Sequence, residues 1–243
     1  MIKNIIFDLG GVLLDIDLVH CMKQVQSLGV NFDTLSKQTA PADPASGEKP
    51  AVMGEGIVAT GETHMYQIGK ISTEDFIGGI QHLCNPGTTF QQVLDAWNTC
   101  CIDIPQHRLD KVMQLRRQGY RTYMLSNTND AHWQDVVKRC FGGQEGVDRY
   151  FDKVFLSQEM HLAKPNDEIY LEVLKEIGAD ASECLFIDDS TQNVEAAASL
   201  GFCTIRAEVS KTAGGKVVAV PATEWKDVID GVIAEQDEGQ KIM

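Results

Sequence analysis

The sequence predicts an α/β fold, a doubly wound parallel sheet with a helical cap inserted after the first strand. Three observations carry the prediction. Short apolar runs without polar alternation punctuate the chain, helical periodicities separate them, and the one long departure from that rhythm follows the first run. Strands covered by helices on both faces lose the alternation of a half-exposed strand, so unbroken apolar runs point to a parallel sheet.

The first run is Ile5-Ile6-Phe7, closed by Asp8 and then by Gly10 and Gly11. From about residue 17 to 103 the alternation stops and helices are predicted, from Leu18 to Leu28, Ser72 to Leu83 and Phe90 to Trp97. "ISTEDF" supplies an N-cap for the second, because the Ser72 hydroxyl can accept the backbone N–H three residues on. Between the first two lies the Pro-, Ala- and Gly-rich stretch from Ser36 to Gly56, which reads as a long loop. The sheet resumes near Pro105, so residues 1–16 and 104–243 are expected to form a core domain and 17–103 the cap.

"IPQHRLDKVMQLRRQG" then gives a helix with Pro105 at its start, Leu109, Val112 and Met113 on one side and Gly119 as its stop. Runs two, three and four are Tyr123-Met124-Leu125, Val154-Phe155-Leu156 and Leu185-Phe186-Ile187, with a weaker fifth at Cys203-Thr204-Ile205. Helices before and after the fourth run space Ile169, Val173, Leu174 and Ile177, and then Val194, Ala197, Ala198 and Leu200, ending on Gly178 and Gly201. The polar C-terminal "AEQDEGQKIM" is expected to be frayed.

A chain of 243 residues, 43% hydrophobic, can bury one good-sized core with a smaller satellite. No apolar run approaches the length of a membrane span, and the opening "MIKNIIFDLGG" is too short in apolar residues for a secretory signal, so a cytoplasmic protein is expected. Seven cysteines without a C-x-x-C pair suit a reducing compartment, with the adjacent Cys100 and Cys101 open to a redox reading. A net charge of −14 argues against nucleic acid or an anionic membrane as partner. An anionic substrate would need local positive charge to dock.

Ligands of a doubly wound sheet bind at the carboxyl ends of its strands, where strand order reverses. Asp8 follows the first run, Ser126 and Asn127 the second, and Asp188 and Asp189 the fourth, with Lys164 in "AKPNDEIY" just before a helix start. Each has a bland reading alone: a helix cap, a turn, surface punctuation. Together they would gather three carboxylates in one crevice, where they repel one another unless a cation intervenes. A hard divalent ion, Mg²⁺ above all, meets that need, and Lys164, Ser126 and nearby backbone N–H groups add a socket for an oxyanion. Such a site suits phosphoryl transfer.

On "IIFDLGGVL", "YMLSNTN", "AKPNDEIY" and "LFIDDSTQNV", in that order, the chain resembles the haloacid dehalogenase-like (HAD) hydrolase superfamily. It is similar in particular to bacterial sugar-phosphate phosphatases acting on glucose 1-phosphate, with a small helical cap on a Rossmann-like core. The resemblance implies a Mg²⁺-dependent phosphomonoesterase for a small phosphorylated metabolite. Asp8 would be the nucleophile that forms an aspartyl-phosphate, and its carboxylate would join the Gly10 carbonyl, Asp188 and Asp189 around the metal. Ser126 and Asn127 would hold phosphoryl oxygens, Lys164 would tie Asp8, phosphate and the acidic pair together, and His20 on the first cap helix would be a substrate contact.

Family phosphatases usually carry a second aspartate two residues after the nucleophile, as general acid and base; here that position is Gly10. Its loss forfeits assistance typically of about 10²–10⁴ in rate, which favours a readily departing group such as an anomeric phosphate. Asp15, Asp17 and His20 are the nearby candidates for a substitute. The gap also leaves open a catalytically impaired module that binds a metabolite or protein, or a haloacid dehalogenase, which would not need the acidic pair.

Overall fold

The computed structural model describes residues 1–31, 61–211, 217–219 and 225–240, so the expected loop from Ser36 to Gly56 lies outside the described residues. Five parallel strands form one sheet: β1 (Asn4–Phe7), β2 (Arg121–Ser126), β3 (Lys153–Leu156), β4 (Cys184–Asp188) and β5 (Cys203–Arg206). Their order is β3-β2-β1-β4-β5, so the chain leaves β1 toward one edge and later returns to build the other. The reversal falls between β1 and β4. Register fixes what meets there: Phe7 pairs with Met124 on one side and Ile187 on the other, which brings Asp8, Ser126 and Asp188 to the same carboxyl-end rim.

Alternate residues of each strand enter opposite faces, as the two-residue period of a strand requires. Ile5, Phe7, Met124, Leu185 and Ile187 pack with Leu109 and Val112 of α5 (Gln106–Arg117) and with Trp225 and Ile229 of α11 (Trp225–Gln240). Ile6, Tyr123, Leu125 and Phe186 pack with Ile169 and Val173 of α9 (Asp167–Ile177) and Ala197 of α10 (Thr191–Ser199). Both faces are dry, and the strands lack alternation for that reason.

Two features depart from the sequence expectation. Of the stretch expected to fray, residues 234–240 continue α11 and 241–243 lie outside the described residues; the helix is anchored upstream, where Trp225, Ile229 and Ile233 at i, i+4 and i+8 bury one stripe on the sheet. Trp225 also donates from Nε1 to the Val12 carbonyl at 3.0 Å. A short antiparallel pair, β6 (Val209–Lys211) and β7 (Val217–Ala219), follows the main sheet. No helix among the described residues is long and apolar enough to cross a membrane.

The inserted part contains α1 (Leu18–Ser27), α2 (Gly61–Gln67), α3 (Thr73–His82) and α4 (Phe90–Asn98). Asp17 caps α1, Ser72 caps α3 as its sequence predicts, and Thr89 with Gln92 forms a capping box on α4. The chain passes between the two parts through a paired neck. The Asp15 N–H donates to the Asp103 carbonyl, the Ile102 N–H to the Asp15 carbonyl, and the Asp17 N–H to the Cys100 carbonyl, each at 2.9 Å. Arg108 and Arg139 clamp it from the core: Arg108 donates to the Leu13 carbonyl and pairs with Asp15 at 2.7 Å, and Arg139 donates to the carbonyls of Cys101 and Ile102.

Candidate active site

At the rim where strand order reverses, Asp8 follows β1, and β4 ends in Asp188 followed by Asp189; all three are buried. Their carboxylate oxygens lie within 4.8 Å of one another, the one such group of acidic, histidine or cysteine side chains among the described residues. Lys164, with no exposed surface, sits against them. Its ammonium donates to Asp188 Oδ2 at 2.6 Å, to the Leu125 carbonyl at 2.9 Å, and contacts Asp8 Oδ1 at 3.0 Å, which commits all three of its protons. Asp8 Oδ1 also accepts the Leu9 N–H, and Asp188 Oδ1 accepts from the Ser190 N–H and the Asn193 carboxamide. Asp189 Oδ2 is buried with no hydrogen-bond partner among the described residues.

Three carboxylates and one ammonium leave two formal negative charges uncompensated in a dry crevice. Burial pushes the Asp8 carboxyl up to about 7; Asp188 adds to the rise and Lys164 opposes it. Asp189 is raised to about 8 by burial first, then by Asp188 and Asp8. For Lys164 the desolvation that would strip its proton is outweighed by Asp188 and Asp8, which hold the ammonium above its ordinary range. Hard oxygen donors, an orphaned carboxylate oxygen and a deficit of two positive charges fit a hard divalent cation.

Gly11 makes the close approach possible. Its φ is +75°, and a Cβ there would lie 2.6 Å from Asp189 Oδ2. Gly10 needs no such exemption; a Cβ at that position would have Ile16 Cγ2, at 3.5 Å, as its nearest neighbour.

The remaining expected residues divide. Ser126 is buried at the end of β2, and its hydroxyl is committed to no protein partner among the described residues. Asn127 turns its carboxamide onto the main chain of Lys164, donating to that carbonyl at 2.8 Å and accepting that N–H at 2.9 Å, so its side chain braces the lysine. His20 stands exposed on α1, 3.4 Å from Gln24, and no contact joins it to the carboxylate group. Of the candidate substitute acids, Asp15 is taken up by Arg108 and Asp17 by the start of α1. Burial raises the Cys21 thiol to about 12, and the Cys100 thiol stands well above its ordinary value through its hydrogen bond with the free Cys101 thiol and through burial. Thiols held protonated in this way make poor redox nucleophiles. Two positions that shape this rim are hidden in the sequence. Gly11 is visible there only as the second of a glycine pair, and Ser157, at the end of β3, carries no motif.

The doubly wound sheet thus gathers three carboxylates and a lysine at its switch point. The chain belongs to the haloacid dehalogenase-like hydrolase family, whose sequence profile matches residues 2–201. It is 30% identical over 209 residues to the D-ribitol-5-phosphate phosphatase of Bacteroides thetaiotaomicron, covering 86% of this chain and 93% of that protein. A HAD-family enzyme of Bacteroides thetaiotaomicron, solved with magnesium and inorganic phosphate, superposes with a TM-score of 0.72 at 34% identity, over 86% of this chain and 95% of that one. A HAD-like hydrolase from Porphyromonas gingivalis gives 0.71 at 28% identity, over 96% and 98%.

Proposed function

We propose that the protein is a Mg²⁺-dependent phosphomonoesterase that hydrolyses a small sugar or polyol phosphate through an aspartyl-phosphate on Asp8. The observation that carries the reading is the buried Asp8–Lys164–Asp188–Asp189 group, which is two charges short of balance. Asp8, Asp188, Asp189 and the Gly10 carbonyl would hold the ion, which supplies charge neutralisation that lets a phosphate dianion approach the carboxylates. Asp8 attacks phosphorus, the ester oxygen departs, and water then releases phosphate from the acyl-phosphate. Lys164, bonded to Asp8, would offset charge building on the phosphoryl oxygens through its field, and the Ser126 hydroxyl would donate to one of them.

Two considerations bear on the substrate class, and they favour different leaving groups. A relative named for D-ribitol 5-phosphate favours phosphorylated polyols and sugars. The glycine at position 10 favours a leaving oxygen that departs without protonation, as from glucose 1-phosphate. Residues 17–103 would serve as the cap that excludes water from the reacting phosphate. A binding-only module is disfavoured, because a buried, partly orphaned charge cluster is costly to keep without use.

The test is phosphate release from a panel containing glucose 1-phosphate and ribitol 5-phosphate. Release with Mg²⁺, none with EDTA, and a loss of at least about 10³-fold in Asp8→Asn are expected. Turnover that survives EDTA or Asp8→Asn would overturn the reading.

A further inference from the structure

We propose that Ser157 is a positioning residue that couples the seating of the cap to the loop carrying Ser126 and to Lys164, an inference that rests on the phosphatase reading above. Ser157 follows β3 and opens the short helix α8 (Ser157–Met160), and Leu156 before it pairs with Ser126. The side chain has no exposed surface. Its Oγ accepts the Thr128 N–H at 3.0 Å and stands 2.7 Å from the Gln67 carbonyl and 3.1 Å from the Thr128 carbonyl. A hydroxyl has one proton to give, and the shorter contact sends it to Gln67, at the end of α2 in the inserted part.

The bonds continue to the reacting centre. Thr128 adjoins Asn127, the Asn127 carboxamide brackets the Lys164 peptide, and Lys164 Nζ reaches Asp8. From the other direction, four consecutive residues of the inserted part lie across the loops that follow β2 and β3. The Tyr66 hydroxyl accepts the Ala131 N–H at 3.1 Å, Gln67 takes the Ser157 hydroxyl, and the Ile68 carbonyl accepts from His161 Nδ1 at 2.9 Å. Gly69 lies so close to the Gln158 carbonyl that a Cβ would come within 2.1 Å of it. Ser157 is the point in this seam where one buried hydroxyl holds both the cap and the loop beside Ser126. When the inserted part lifts, the Thr128 loop loses its acceptor's orientation, and the brace on Lys164 loosens with it.

Ser157→Ala in the full chain tests this, with Ser157→Cys as a volume-matched second variant whose thiol is a weaker hydrogen-bonding group. Expected for alanine are a kcat lower by about tenfold or more with KM changed less than about threefold, and amide exchange at Thr128 faster by about tenfold. Cysteine should fall between alanine and wild type in both. Wild-type Thr128 exchange in either folded variant overturns the proposal, as does faster exchange with kcat unchanged, which marks a purely structural bond. A rise confined to KM also overturns it. If no phosphoester is turned over, the phosphatase reading fails by itself; Thr128 and Lys164 amide exchange, which should rise together, then decides the coupling without any substrate.

Discussion

Gly10 and Gly11 are neighbours with opposite reasons to be glycine. At Gly11 a side chain would strike Asp189 and the backbone sits in the left-handed region, so the residue is fixed by geometry. At Gly10 a Cβ meets only ordinary contact with Ile16, so its glycine is a chemical choice. Gly10→Asp is therefore expected to fold with a stability change within about 1 kcal/mol when metal is present. It should raise kcat on a primary alkyl phosphate at least about tenfold, by restoring a proton donor beside the leaving oxygen. Steady-state kinetics on an alkyl and an anomeric phosphate check it; no gain on the alkyl ester would mean that the proton already comes from another group. At this scale the sequence was legible where chemistry sits directly after a strand, as at Asp8, Ser126 and Asp188. It was opaque where a side chain's partner is distant in sequence. Nothing near Asp15 announces that Arg108, on a helix of the core, will claim its carboxylate, and nothing in "SNT" announces that Asn127 will face Lys164.

Among the elements, the junction between the inserted helices and α6 (Asp130–Val136) is built from rings. Tyr66 stacks on Phe76, Phe76 meets Trp97 edge-on, and Trp97 stacks on His132 at 5.1 Å between centroids. The imidazole contacts the Trp97 carbonyl through Nε2 at 3.1 Å and the Asn129 carboxamide through Nδ1 at 3.1 Å. Donation from Asn129 to Nδ1 requires a neutral ring. Burial lowers its pKa to about 4, against the Trp97 carbonyl, which favours the proton. The unfolded chain takes up that proton near 6.5 while the folded one declines it until about 4. The contribution is thus complete above pH 6.5, falls as pH drops from 6.5 toward 4, and is gone below. Its size is at most about 3 kcal/mol. The check is the difference between wild type and His132→Gln in urea melts, which should move against wild type as pH falls from 7 to 4, since the crevice carboxylates contribute equally to both. Capping and periodicity made the individual helices readable, with Ser72 the clearest case. The ring junction was not readable, since its members are drawn from four separate segments and share no period.

Over the whole molecule, a net charge of −14 surrounds a crevice that is itself short of cations. With Asp8 and Asp189 raised to about 7 and 8, the metal-free protein loses stability as pH climbs from about 4 through 8, because those groups must ionise in a dry site. Mg²⁺ should therefore raise Tm by about 5–10 °C at pH 8 when present at 100 times its Kd, and by less at pH 5.5. Binding should expel protons at pH 6.5 and none at pH 9, which calorimetry in two buffers of different ionisation enthalpy would detect. The overall architecture was legible because a parallel sheet writes itself as unbroken apolar runs. The terminal helix went unread because polar residues interrupt the stripe of Trp225, Ile229 and Ile233 that anchors it. The Lys164 ammonium is tied at once to the carboxyl ends of three neighbouring strands, to β2 through the Leu125 carbonyl, to β4 through Asp188 and to β1 through Asp8. A displacement of any one of these strands against the other two would therefore be felt at the ammonium first, which makes Lys164 the residue through which the sheet's integrity reaches the crevice.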